Sequence, residues 1–210
     1  MHVALNAQLL AGQASYRSAG IHHYIDHLLR HLPQAGPELR LTIFTGAGQP
    51  AVPGAVMRPT RLPTGRPIVR IFWEQVLQPL VLARLRPDLL HSLAFVSPVL
   101  AVPPTVVTVY DLSFKLMPER FRPAQRLYLN ALTAYSCRRA RRVIAISEST
   151  RSDLQRNFGL HASTELVFPL LSLLVIEGTV RELDPDVDFQ AAARPLLTRG
   201  VFGARPAAGA

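Results

Sequence analysis

The chain has 210 residues, of which 49% are hydrophobic and 18% are charged. That composition excludes a disordered chain and supplies enough apolar side chains for a substantial core. The single cysteine, Cys137, excludes an intramolecular disulfide and is compatible with a reducing cytosol. The formal net charge is +9, but only 7% of the residues are aromatic and the arginines are scattered, so we expect no nucleic-acid partner.

Apolar segments and helical patterns alternate from the first residue onward. Apolar faces that recur every three to four residues predict helices, and short continuous apolar runs predict strands. The predicted strands cover residues 2–7, 39–46, 87–92, 105–110, 142–147 and 164–169, and the predicted helices cover 21–32, 68–86, 123–139 and 149–158. Residues 47–67 are rich in proline and glycine and are predicted to be a connection. The alternation predicts an α/β fold with a Rossmann-like parallel sheet covered by helices on both faces.

The longest uncharged run, residues 89–110, is long enough to cross a bilayer as a helix. Pro98, Pro103 and Pro104 interrupt it and its β-branched end favours a strand, so we expect two buried strands joined by a loop. The first residues contain no basic segment that leads into an apolar run, so we expect no secretory signal. The three closely spaced histidines of the first predicted helix are too few for a metal site.

Polar side chains follow three of the predicted strands. Tyr110 and Asp111 end the strand TVVTV, His91 stands at the end of the strand before it, and Ser147 and Glu148 follow the later strand VIAI. Because ligands of open parallel sheets bind beyond the carboxyl ends of the strands, these residues are candidates for a binding site. Alternatives stay open for three of them. His91 can be a buried histidine with a satisfied hydrogen bond, Asp111 a turn or helix cap, and Ser147 the N-cap of the next helix.

The loop before the first predicted helix ends near Gly20. A glycine beside a helix N-terminus permits close backbone approach to an anion, and the exposed amides favour phosphate. An ordinary βα loop is the alternative. A dinucleotide oxidoreductase is disfavoured, because the loop lacks a GxGxxG pattern and Thr45 and Gly46 stand where an acidic residue is expected.

The densest basic cluster, CRRARR at residues 137–142, ends a predicted helix. Cations in the last turn of a helix interact favourably with its dipole, by roughly 0.3–1 kcal/mol each, which favours a solvated helix end. The alternative is a patch that faces anionic lipid headgroups.

The chain contains four further segments in a defined order: RSAGIHHYIDHLLRHL, PDLLHS, TVVTVYDLSFKLMPERF and RRARRVIAISESTRSDLQRNFG, at residues 17–32, 87–92, 105–121 and 138–159. Together they resemble the N-terminal domain of family 4 glycosyltransferases, the retaining enzymes of the GT-B fold. The resemblance covers residues 1–169 and implies the acceptor-side Rossmann-like half of such an enzyme. It implies transfer of a sugar from a nucleotide-sugar donor to a carbohydrate or lipid-linked acceptor, with no cofactor and no metal. We also expect a cytoplasmic protein of cell-envelope polysaccharide synthesis, and the basic cluster at residues 137–142 allows peripheral contact with the anionic inner face of the membrane.

The resemblance implies roles for individual residues. Tyr110 stands where many relatives have a histidine near the transferred sugar, and His23 stands where an arginine is common. A tyrosine donates a hydrogen bond but carries protons poorly near neutral pH, so Tyr110 suits positioning better than acid–base chemistry. The expected catalytic residues are Tyr110 and Asp111, and the expected substrate-binding residues are Gly20, His23, His91, Ser147 and Glu148.

The pattern changes after Pro169. The family's second Rossmann domain carries two glutamates eight residues apart, and no two glutamates of this chain have that spacing. Residues 173–197 are faintly similar to a segment of the UbiB-type atypical kinases without their catalytic motifs, and a pair of amphipathic helices is the alternative. We expect residues 170–210 to be a divergent tail, helical or partly disordered, of a truncated or fused chain that is inactive alone. The alternative function is a non-catalytic membrane-surface or assembly subunit that keeps the Rossmann shell.

Overall fold

A computed structural model describes residues 1–10, 19–36, 38–46 and 51–162. These residues belong to one compact unit, Met1–Thr164. The predicted strand at 164–169, the domain boundary at residue 169 and the tail at 170–210 lie outside the described residues. The predicted division of the chain into a domain at residues 1–169 and a tail at residues 170–210 therefore stays a prediction.

Strands and helices alternate along the described part of the chain. The strands are β1 (His2–Asn6), β2 (Arg40–Thr45), β3 (Ala55–Pro59), β4 (Leu89–Ser92), β5 (Thr105–Val109) and β6 (Arg142–Ala145). The α-helices are α1 (Ala19–His31), α2 (Pro67–Phe72), α3 (Gln78–Leu85), α4 (Ser113–Leu116), α5 (Pro123–Arg139) and α6 (Glu148–Phe158). None of these helices is long and apolar enough to cross a membrane.

The strands form one parallel sheet in the order β3-β2-β1-β4-β5-β6. This arrangement confirms the predicted Rossmann-like α/β fold. The chain builds outward from β1 through β2 to β3, and then returns to the other side of β1 to build β4, β5 and β6. The sheet therefore has its topological switch point between β1 and β4, where ligands of such sheets bind.

The edge strand β3 is absent from the sequence prediction, which treats its residues as part of an irregular connection. Within the described part of the chain it pairs with β2 alone, and all of its residues are at least partly exposed. An edge strand needs no continuous apolar pattern and tolerates a proline at its end, as Pro59 shows. For this reason the hydrophobic pattern did not reveal it.

Side chains that alternate along the strands fill both faces of the sheet. On one face, Leu5 packs in a cluster with Ile25 and other residues of α1. On the other, Phe44 and Leu90 pack with Trp73, which lies in the helical layer between β3 and β4. Because a fully buried aliphatic side chain contributes roughly 1.5–3 kcal/mol, coverage of both faces favours continuously apolar strands.

Helices α2 and α3 are joined without a break by a π-helical turn, Trp73–Leu77. In this turn the Gln78 N–H donates to the carbonyl of Trp73, five residues earlier. The sequence predicts a kink at Pro79, and the irregularity lies immediately before that residue. A proline ring crowds the carbonyl four residues before it, and a widened turn relieves that crowding. The turn leaves Trp73 and Glu74 both buried.

Candidate functional site

The carboxyl ends of β1 and β4 lie side by side at the switch point. Asn6 and Ser92, the last residues of these strands, are register partners. Successive side chains of a strand point to opposite faces, so the side chains of His91 and Ser92 lie on different faces of the sheet. The polar residues at this edge therefore form two groups, one on the α1 face and one on the α2–α3 face.

Tyr110 lies on the α1 face just beyond β5 and is buried. Its hydroxyl donates to the Leu93 carbonyl oxygen at 2.8 Å, and its ring meets the ring of Tyr24 edge-on at 5.5 Å between centroids. Burial raises the pKa of Tyr110 above its usual value, with a smaller contribution from Tyr24. The hydroxyl therefore stays protonated and already has a hydrogen-bond partner. This geometry suits a side chain that positions the backbone better than one that transfers protons.

His91 is buried in the same region and is 9% exposed. Its Nε2 lies 2.9 Å from the Thr108 hydroxyl, which also shares a hydrogen bond with Tyr24. Burial lowers the pKa of His91 to about 4, so the ring is neutral near pH 7. Of the two interpretations offered by the sequence, the structure shows a buried histidine with a satisfied hydrogen bond.

Asp111 is exposed beyond the end of β5. One carboxylate oxygen accepts hydrogen bonds from the backbone N–H of Ser113 at 2.8 Å and from its hydroxyl at 2.6 Å. This is the local geometry by which an aspartate stabilises a turn. The carboxylate orders the chain where α4 begins, and it does so at the surface of the sheet edge.

Ser147 is the N-cap of α6, as its Oγ accepts a hydrogen bond from the Thr150 N–H at 3.1 Å. The Thr150 hydroxyl donates to the Tyr110 carbonyl oxygen at 2.7 Å, which ties this helix to the end of β5. Glu148 forms an exposed ion pair with Arg151 on its own helix. Ser147 is thus connected to the predicted site through Thr150, and the ion pair of Glu148 with Arg151 lies along α6.

Gly20 lies in the first turn of α1 and is exposed. A Cβ added there would meet no atom of the described residues within 4 Å, so packing against them does not require a glycine. His23 is exposed, and its ring contacts that of His22 edge-on. The structure brings α1 to the site through Tyr24, one turn beyond Gly20, and not through the side chain of His23.

Sequence reasoning missed Glu74 and Asn6, on the α2–α3 face. Glu74 is 9% exposed, and its Oε1 accepts a hydrogen bond from Asn6 Nδ2 at 3.3 Å. Burial raises the pKa of Glu74 to about 7, against smaller opposing effects of Arg70 and Asn6. The sequence feature that could have revealed Glu74 is a glutamate on the apolar side of a predicted helix, next to Trp73.

A groove of about 530 Å³ lies against β3, and its lining includes Phe44, Trp73, Val81, Arg58 and Arg61. None of the predicted site residues lines it. The described residues contain no group of three or more His, Cys, Asp or Glu side chains that could hold a metal ion.

The fold and the site residues define an α/β domain with a polar sheet edge at the β1–β4 switch point. The family model of Glycosyltransferase Family 4 matches residues 18–169, so the chain belongs to that family. A glycosyltransferase acts on a sugar donor and an acceptor, and this domain is of that general type. A search of curated proteins found no match to the chain.

Proposed function

We propose that residues 1–169 supply the acceptor side of a sugar transfer from a nucleotide sugar to a carbohydrate or lipid-linked acceptor. The observation that carries the proposal is the family match over residues 18–169. The polar ends of β1, β4 and β5 at one sheet edge support it. We expect the reaction to take place in the cytoplasm, in the synthesis of a cell-envelope polysaccharide, without a metal or cofactor.

The proposed roles follow from the geometry. Tyr110 holds the chain after β4 against the end of β5 through its bond to Leu93, and so positions the crevice wall. Asp111 is exposed at the same edge, where a carboxylate can accept a hydrogen bond from a sugar hydroxyl. His91 is neutral and serves as a hydrogen-bonding group and not as a cation.

The test is ligand-observed NMR of the full chain with the methyl α-glycosides of glucose, mannose and galactose, and with NAD⁺ as the rival ligand. The proposal predicts saturation transfer to at least one glycoside and none to NAD⁺. Binding of NAD⁺ without binding of any glycoside would instead support a dinucleotide enzyme.

A second candidate function, attachment to a membrane surface, is favoured by an apolar stripe along α2 and α3. Ile68, Phe72, Val76 and Leu80 recur every four residues, and each is about half exposed or more. The π turn keeps this stripe on one side, because its wider turn compensates for the drift of a four-residue repeat. An exposed apolar stripe on a chain with a net charge of +9 favours an anionic membrane surface.

Sedimentation with phosphatidylglycerol vesicles tests this candidate, with phosphatidylcholine vesicles as the control. Attachment predicts that the chain pellets with the anionic vesicles, and that Phe72→Ser weakens the binding. Equal recovery of the wild type in the supernatant with both vesicles would remove the support for attachment.

A further inference from the structure

The polar residues on the α2–α3 face of the switch point are incompletely satisfied. Asn6 is 6% exposed and Ser92 is fully buried. Asn6 Nδ2 donates to Glu74, but among the described residues Asn6 Oδ1 and Ser92 Oγ have no hydrogen-bond partner. These atoms sit at the ends of two adjacent strands whose spacing is about 4.8 Å.

Such an arrangement is costly for stability alone. A buried polar group without a partner loses its hydrogen bonds to water without replacement, and burial of a carboxyl group adds to that cost. One step earlier on the same face, Ala4 and Leu90 pack in an apolar cluster with Phe44 and Trp73. Apolar residues therefore fit this face of the sheet. Asn6 and Ser92 are polar instead, and they stand at the carboxyl ends of the strands, where ligands of such sheets bind.

Glu74 lies at an irregular turn and is not completely buried. It keeps 9% of its surface exposed and lies in the π turn, a feature frequent at functional sites. The charged and titratable groups that face it are Arg70 on α2 and Tyr128 on α5, and burial together with Glu74 raises the pKa of Tyr128 above its usual value. The surroundings of Glu74 thus combine one cation, one neutral phenol and the amide of Asn6.

We propose that Asn6, Glu74 and Ser92 form a subsite that binds the hydroxyl groups of a sugar. Asn6 Oδ1 and the Glu74 carboxylate are hydrogen-bond acceptors, and the Ser92 hydroxyl can donate or accept. A set dominated by acceptors requires a ligand that donates, which sugar hydroxyls do and a phosphate dianion does not. The assignment of that sugar to the acceptor substrate rests on the proposed function.

The subsite has a defined pH dependence. A carboxylate accepts a stronger hydrogen bond from a hydroxyl than a carboxylic acid does, so the ionised form of Glu74 is the binding form. With a pKa of about 7, about a tenth of the molecules carry that form at pH 6 and nearly all of them at pH 8.5. Affinity for the sugar should therefore rise about tenfold between these pH values.

The experiment is an NMR titration of the full chain with methyl α-D-glucoside, methyl α-D-mannoside and methyl α-D-galactoside at pH 6 and pH 8.5. We expect Glu74→Gln and Ser92→Ala to bind the glycoside at least fivefold more weakly than the wild type at pH 8.5. Glu74→Gln should also lose the pH dependence. Glu38→Gln is the matched control, since Glu38 is exposed near the amino edge of the sheet and should leave affinity unchanged.

The outcomes separate the two proposals. A wild type that binds a glycoside while Glu74→Gln binds it equally well, or with the same pH dependence, overturns the subsite and leaves the proposed function standing. A wild type that binds none of the three glycosides overturns both. Circular dichroism of each variant confirms its fold, and Glu74→Gln removes a buried ionisable group with little change in shape.

Discussion

The hydroxyl of Tyr110 donates a hydrogen bond to the backbone carbonyl of Leu93, 17 residues earlier in the chain. This bond joins the segments that follow β4 and β5 at the carboxyl edge of the sheet, where we propose that the ligand binds. It explains why a buried apolar strand ends on a tyrosine, because the polar tip of that side chain has a backbone partner inside the protein.

Tyr110→Phe tests that bond. We expect the variant to lose about 1 kcal/mol of unfolding free energy, since it removes one neutral buried hydrogen bond and keeps the ring contacts with Tyr24 and Phe95. Urea denaturation measures the change. Because the bond positions the crevice wall and the hydroxyl does not itself meet the ligand, glycoside affinity should fall only about twofold along with the stability. A tenfold loss of affinity with unchanged stability would place the hydroxyl on the ligand instead.

Two variants of Asp111 distinguish a structural role of its side chain from an electrostatic one. Asp111→Asn keeps an oxygen that can accept from Ser113, whereas Asp111→Ala removes it. We expect the alanine variant to lose about 1 kcal/mol of unfolding free energy and the asparagine variant less than half of that. If the carboxylate also meets a sugar hydroxyl, both variants lose glycoside affinity, and an asparagine variant with full affinity would make Asp111 a turn residue only.

Glu74 and His91 give opposite contributions to the pH dependence of stability. The pKa of Glu74 is raised from 4.5 to about 7, so its favourable effect is present below pH 4.5 and is lost as the pH rises to 7. The pKa of His91 is lowered from 6.5 to about 4, so its effect is present above pH 6.5 and is lost as the pH falls to 4. Between pH 4.5 and 6.5 the two effects oppose each other.

If either group is removed by mutation, the pH dependence of stability should therefore show the effect of the other group. Relative to wild type, Glu74→Gln should gain about 3 kcal/mol of unfolding free energy between pH 4.5 and pH 7, since each pH unit corresponds to about 1.4 kcal/mol. Relative to wild type, His91→Asn should gain a similar amount as the pH falls from 6.5 to 4. Denaturation curves at several pH values measure both differences, and parallel curves for wild type and variants would show that neither group is perturbed.

Ser147→Ala tests the helix cap at α6. The variant should lose about 1 kcal/mol, because the Thr150 N–H loses its acceptor at the helix N-terminus. Ser152→Ala, inside the same helix, is the control and should be neutral or slightly stabilising. Equal melting temperatures of the two variants would contradict the capping role.

The sequence allowed the parallel sheet to be predicted because its central strands are buried on both faces and are continuously apolar, as in Val106–Val109. The same logic located Tyr110, Asp111, Ser147 and His91 near the carboxyl edge. It failed for β3, where an exposed edge strand carries no such pattern. It also failed for Glu74, because its partner Asn6 lies 68 residues away and only the folded sheet and the π turn bring the two together.

The most direct test of the account is a map of amide chemical-shift changes in the isotopically labelled chain as the bound methyl α-glycoside is added. A sugar site at the β1–β4 switch point predicts that the largest changes fall at the carboxyl edge, around Asn6, Ser92 and Asp111. Amides at the opposite edge, around Glu38 and Asp88, should stay unchanged. Changes concentrated at the amino edge, or in the groove beside Arg58 and Arg61, would contradict a sugar site at the β1–β4 switch point.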